Sequence, residues 1–114
     1  MIKRKQKINT RLTIHEKKEL ENIAKEWDIS LSNVLRRLIF FLSQGKISVI
    51  DLVKKVESAD LTEENFYGVQ VTLTDTEKQR FINAIKEWDF SASAILRRLT
   101  RALLTGVIQK SDLW

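Results

Sequence analysis

Lys25-Glu26-Trp27-Asp28-Ile29-Ser30-Leu31-Ser32-Asn33-Val34-Leu35-Arg36-Arg37-Leu38 returns 61 residues later as Lys86-Glu87-Trp88-Asp89-Phe90-Ser91-Ala92-Ser93-Ala94-Ile95-Leu96-Arg97-Arg98-Leu99. The repeat extends on both sides of that stretch: residues 8–53 lie over 69–114 without a gap and agree at 20 of 46 positions. Leu12/Leu73, Thr13/Thr74, Glu16/Glu77, Gly45/Gly106 and Asp51/Asp112 are among the matches. A gapless repeat of this length is one supersecondary unit made twice, each copy too small to bury its apolar face alone.

Each copy reads as a short strand followed by two helices. Ile8, Thr10 and Leu12 alternate with Lys7, Asn9 and Arg11, the period of a half-buried strand. The second copy alternates Val69, Val71 and Leu73 with Gly68, Gln70 and Thr72. Thr13 with Glu16, and Thr74 with Glu77, fit the capping box that starts a helix. The first helix then sets Leu20, Ile23, Ala24 and Trp27 on one face, matched by Phe81, Ala84, Ile85 and Trp88. After a break at Asp28-Ile29 or Asp89-Phe90, Ser30 or Ser91 caps a second helix that carries Val34, Leu35, Leu38 and Leu42, or Ile95, Leu96, Leu99 and Leu103. Gly45 and Gly106 sit where a left-handed C-terminal cap belongs. A third helix is expected from Ser48 to about Ser58, with Ile50, Val53 and Val56 inward, and after the first copy only. The organisation predicted is therefore 1–45 for the first unit with its basic arm, 46–66 for a linker with a short extra helix, and 67–114 for the second unit.

Composition narrows the function. The 114 residues include no cysteine and one histidine, which excludes disulfide scaffolds, thiolate metal sites and thiol catalysis. No nucleophile–histidine–acid set and no glycine-rich phosphate loop stands out, so the chain reads as a non-enzyme with no cofactor and no metal. No apolar run approaches the roughly 18 residues of a membrane span, and the basic N-terminus leads into no apolar segment. A cytoplasmic protein is expected, in the host cytoplasm if the source is viral. Of the net charge of +5, all lies in residues 1–61, with 13 basic and 8 acidic side chains, against 7 and 7 in residues 62–114. Lys3, Arg4, Lys5, Lys7 and Arg11 meet no acid within the first eleven residues, the electrostatic footprint expected for a polyanion.

A lone strand leaves its ladder groups unpaired, so the two strands are expected to pair antiparallel across a pseudo-two-fold axis, with the helices burying the inner face. The fold class is then mainly α with a two-stranded antiparallel β-ribbon. On the strand pattern, the matched caps and the duplicated helices, the sequence resembles the ribbon-helix-helix (MetJ/Arc-type) family of DNA-binding proteins, here as two motifs in one chain forming an intrachain dimer. Such tandem proteins occur among regulators of archaeal filamentous viruses and among relaxosome accessory proteins of conjugative plasmids, and the Lys/Ile/Glu-rich, Cys-free composition resembles the viral regulators more.

The resemblance implies sequence-specific binding of double-stranded DNA through the ribbon in the major groove, by a transcriptional regulator, most simply a repressor. The alternative is a relaxosome or plasmid-partition accessory protein using the same chemistry. Base contacts fall on Lys7, Asn9, Arg11, Gln70 and Thr72, since Arg and Lys match guanine O6/N7 and Asn and Gln match adenine N6/N7. Phosphate contacts fall on Lys3, Arg4 and Lys5 of the arm, and on the helix starts at Ser30, Ser32, Asn33, Ser91 and Ser93, where free N–H groups face an anion. Because Gly68 and Thr72 stand where the first copy has Lys7 and Arg11, one half of the DNA site should be read more strongly than the other. Gly68 is alternatively a strand bulge.

The remaining features have plainer readings. Trp27 and Trp88 continue apolar stripes and are expected in the core. Arg36-Arg37 and Arg97-Arg98 are expected to pair with acids such as Glu26 or Glu87. Ile39, Phe40 and Phe41 make the second helix apolar nearly all round, so either the third helix covers them or they meet a neighbouring copy. In the second case Phe40 and Phe41 would self-associate with the Leu113-Trp114 end of that neighbour, building an open array along DNA.

Overall fold

Thr13 and Thr74 cap the helices that follow the strands, Thr13 as the last strand residue and Thr74 as the one residue between strand and helix, so the chain turns from sheet to helix with almost no loop between. A computed structural model describes residues 4–56 and 66–114. Its elements run β1 (Gln6–Thr13), α1 (Ile14–Glu26), α2 (Leu31–Ser43), α3 (Val49–Lys55), β2 (Phe66–Leu73), α4 (Asp75–Ile85), α5 (Ala92–Leu104) and α6 (Lys110–Leu113). The structure is mainly helical with one two-stranded antiparallel sheet, β1 against β2. Among the described residues no helix is long and apolar enough to cross a membrane.

Both capping boxes form. The Thr13 and Thr74 hydroxyls accept from the Glu16 and Glu77 N–H groups at 3.1 Å, and those carboxylates accept back from the threonine N–H groups at 2.8 and 2.7 Å. Ser30 and Ser91 cap α2 and α5 through the Asn33 and Ala94 N–H groups. Helices α2 and α5 end on a left-handed glycine, Gly45 at φ 77° and Gly106 at φ 83°. Helix α1 closes differently. Asp28 takes φ 55°, a conformation short polar side chains tolerate, and α1 runs 13 residues against 11 for α4.

The halves are interwound. Helix α5 packs on β1 and α1, while α2 packs on β2 and α4, and α2 and α5 meet at the centre. One core results, with Leu12, Leu20, Leu35, Leu38, Leu73, Phe81, Leu96 and Leu99 fully buried from both copies. Each such side chain contributes about 1.5–3 kcal/mol of burial, enough to commit the helices to this arrangement.

Four expectations change. Helix α3 turns Val49, Leu52 and Val56 inward; Ile50 is exposed and Val53 half-buried, because the Ser48 cap starts the helix at Val49 and the inward face follows at three- and four-residue steps. The third helix is also not confined to the first copy, since α6 is its opening turn in the second. Nor does α3 cover Ile39, Phe40 and Phe41: it packs on α5, and α6 packs on α2. Finally, Trp88 is 39% exposed and Trp27 half-buried. The Trp27 ring is flanked by the edge-on ring of Trp114 at 6.2 Å and by Lys110, whereas the corresponding positions for Trp88 are the shorter Val53 and Val49. The expected helix limit near Ser58 lies outside the described residues.

Candidate nucleic-acid interface

The ladder between β1 and β2 is continuous from Gln6 opposite Leu73 to Thr13 opposite Phe66. Gly68 sits within it at an ordinary φ, opposite Arg11, with open space where a Cβ would be, so it marks no bulge. Ile8, Thr10, Leu12, Val69, Val71 and Leu73 are buried, which turns Lys7, Asn9, Arg11, Gly68 and Gln70 outward and exposed, with Thr72 partly so. Thr10 is the polar residue on the inner side, and its hydroxyl is satisfied by donating to the Ser93 carbonyl at 2.8 Å, which ties the start of α5 to β1.

Asn9 pairs directly with Gln70, the position equivalent to it in the repeat, and Gln70 Nε2 donates to Asn9 Oδ1 at 3.0 Å. Lys7 stands opposite Thr72, and Arg11 opposite Gly68. The two outward cations of β1 therefore lie at opposite ends of the ribbon, one at each. The imbalance in outward cations is thus between the two strands, not between the two ends of the ribbon. Among the described residues no carboxylate pairs with Lys7 or Arg11.

Arg36 is the residue the sequence did not single out here. Its Nε donates to the Thr72 carbonyl at 2.8 Å, its Nη2 to the Thr72 hydroxyl at 3.1 Å, and its Nη1 to Asn33 Oδ1. Burial, and then the nearby Arg4 guanidinium, lower the Arg36 pKa from its ordinary value, while Glu77 acts the other way. Thr72 and Asn33 thus carry an internal partner, unlike Lys7 and Arg11. Spacing of i to i+3 on α2 relates Arg36 to Asn33 in the sequence, but the reach to Thr72 depends on α2 crossing β2.

The helix starts flank the ribbon. The Ser30 and Ser91 hydroxyl oxygens are occupied as caps; Ser30 and Ser91 are exposed, and Ser32 and Ser93 are half-buried. In the arm, Lys5 is exposed, while Arg4 pairs with Glu77 at 3.5 Å with both side chains about a third exposed. Lys3 lies outside the described residues.

Of the two arginine pairs, expected to meet acids such as Glu26 or Glu87, only Arg97 forms an ion pair among the described residues, and its partner is Glu16. Arg97 and Arg101 both reach the Glu16 carboxylate at 3.4 Å, and Arg98 donates to the Val56 carbonyl at 2.6 Å. Arg37 donates to the Leu113 carbonyl at 3.1 Å and stacks 3.5 Å over the Trp114 ring. The Leu113-Trp114 end is therefore held on α2 of its own chain; Phe41 is partly buried against the core and Phe40 is 50% exposed.

Chemically, the outward ribbon face offers an ammonium, a guanidinium and two carboxamides with no apolar side chain among them. Those groups suit planar edges rich in acceptors and donors. Among the described residues no three His, Asp or Glu side chains converge to hold a metal ion. Comparison of the chain with protein-family models, with curated proteins and with solved structures finds no match.

Proposed function

We propose that the chain is a non-enzymatic, sequence-specific double-stranded DNA-binding protein of the tandem ribbon-helix-helix type, acting as a transcriptional regulator, most simply a repressor. In this reading β1 and β2 form the ribbon of a pseudo-two-fold intrachain dimer and enter the major groove, which admits a two-stranded ribbon. The observation that carries it is the outward face itself: Lys7, Asn9, Arg11 and Gln70 are exposed on paired strands whose alternate residues Ile8, Thr10, Leu12, Val69, Val71 and Leu73 are buried. A run of outward positions, Lys7 to Arg11 and Gly68 to Thr72, with no apolar side chain and no carboxylate has a polar, anionic partner as its natural complement.

Lys7 and Arg11 then read guanine edges at the two ends, and the N-terminal turns of α2 and α5, with Lys5, meet phosphates on either side. Thr72 and Asn33 contribute less directly, since Arg36 engages both. Phe40 remains the exposed apolar group on α2 through which copies bound side by side would touch.

Selection of duplexes from a random pool, followed by isotherms on the winning site and on unrelated DNA, tests the reading. Arg11→Ala should weaken the specific site by about 1–3 kcal/mol and leave unrelated DNA nearly unchanged. Thr72→Ala should cost clearly less. Failure of any sequence to enrich, or equal losses for the two variants, would overturn this assignment of the ribbon.

A further inference from the structure

The centre of the ribbon carries more than two independent polar side chains. Asn9 and Gln70 are directly opposed across the strands, both exposed, and joined by one hydrogen bond of 3.0 Å between their carboxamides. A carboxamide has two N–H donors and two acceptor lone pairs. The donor amide has used one N–H and the acceptor amide one lone pair, so each keeps a C=O and an N–H for an outside partner. The count is the same whichever of the two amides donates. What the bond removes is freedom: each amide is held by the other, and the two edges sit in a fixed relation across the axis that the repeat defines.

An adenine offers N6–H₂ as donor and N7 as acceptor in the major groove, whereas guanine offers two acceptors there. A carboxamide edge matches the first pattern and not the second. Resting on the DNA-binding reading above, we propose that the Asn9–Gln70 pair is a single preorganised reader of two A·T base pairs at the centre of the recognised site. The two adenines lie on opposite strands, because the two amides occupy equivalent positions of the repeat. The guanine-matching Lys7 and Arg11 then lie outside this centre, each two residues, or about 6.8 Å, along β1 from Asn9.

The preorganisation has a consequence that separate readers would not show. Removing either amide releases the other, so either truncation blurs both positions.

The test is duplex selection with wild type, Asn9→Ala, Gln70→Ala and the double variant, with the melting temperature of each recorded to confirm that the fold is intact. The expected wild-type motif has two central A·T pairs with adenines on opposite strands. Each single variant should lose preference at both central positions and bind roughly ten- to hundred-fold more weakly, and the double variant should be little worse than either. Single variants that each erase one position, with losses that multiply in the double, would overturn the paired reader and leave two independent ones. A wild-type motif with flanking guanines but a G·C or uninformative centre would overturn it as well. No motif at all from wild type would overturn the DNA-binding reading on which the inference rests.

Discussion

Glu16 and Glu77 hold equivalent positions, make the same capping box, and live in different surroundings. Glu16 is buried and receives two guanidiniums from α5, Arg97 and Arg101. Glu77 forms an ion pair with the partly exposed Arg4, and the α2 residue equivalent to Arg101 is Phe40. The same division runs through the first arginine of each Arg-Arg pair. Arg97 turns to Glu16, while Arg36 turns to the strand residue Thr72. Two copies of one unit thus keep their local caps and diverge wherever a side chain crosses to the other copy. Duplication within one chain permits this, because a change in one copy has no obligatory mate in the other.

The sharpest way to break the comparison is to neutralise the two carboxylates in turn. Gln preserves the cap, so Glu16→Gln isolates the charge and leaves two largely buried guanidiniums sharing no anion. It should cost about 2–4 kcal/mol in urea unfolding. Glu77→Gln should cost about 0–1 kcal/mol, the range of an exposed pair. Equal losses would mean that burial at Glu16 carries no electrostatic weight.

The tryptophans sharpen the contrast at a smaller scale. Trp27→Ala removes a ring edge-on to Trp114 and should cost about 1–2 kcal/mol, while the half-open Trp88 should cost about half of that or less. Thermal melting of the two variants side by side reads the difference. The smallest effect is expected from Phe40→Arg, which gives α2 the residue that α5 already has at Arg101. Because Phe40 is half exposed, the change should move stability by no more than about 0.5 kcal/mol. A larger loss would place Phe40 in a contact that the monomer does not contain.

Much of this architecture is legible in the sequence, and the legible part is local. Strand alternation around Asn9, the Thr13–Glu16 and Thr74–Glu77 boxes, the Ser30 and Ser91 caps and the Gly45 and Gly106 stops all depend on residues within a few positions of one another. The inward face of α3 is not local in this sense: Val49, Leu52 and Val56 face α5 while Ile50 is exposed, and in a short helix with apolar residues at 49, 50, 52, 53 and 56 the sequence alone does not choose between them. What could not be read is which element each exposed face would meet. The pairing of α3 with α5 and of α6 with α2 follows from the interwound helices, so the covering of Trp27 by Trp114, the exposure of Trp88 and the two arginines on Glu16 all follow from it as well. At the ribbon, the six outward positions were legible from parity. Their condition was not: that Thr72 is engaged by Arg36, that Lys7 and Arg11 fall at opposite ends, and that Asn9 and Gln70 touch are all products of register.

The pairing of β1 with β2 inside one polypeptide also governs how the protein responds to dilution. When two separate chains must meet to build a sheet, folding is inseparable from protomer concentration, and scarcity unfolds the product. Here both strands are tethered through residues 14–65 of the same chain, so the cost of bringing them together is a loop-closure entropy that is independent of concentration and grows only slowly with tether length. A few molecules in a cell hold the ribbon as firmly as a millimolar solution does.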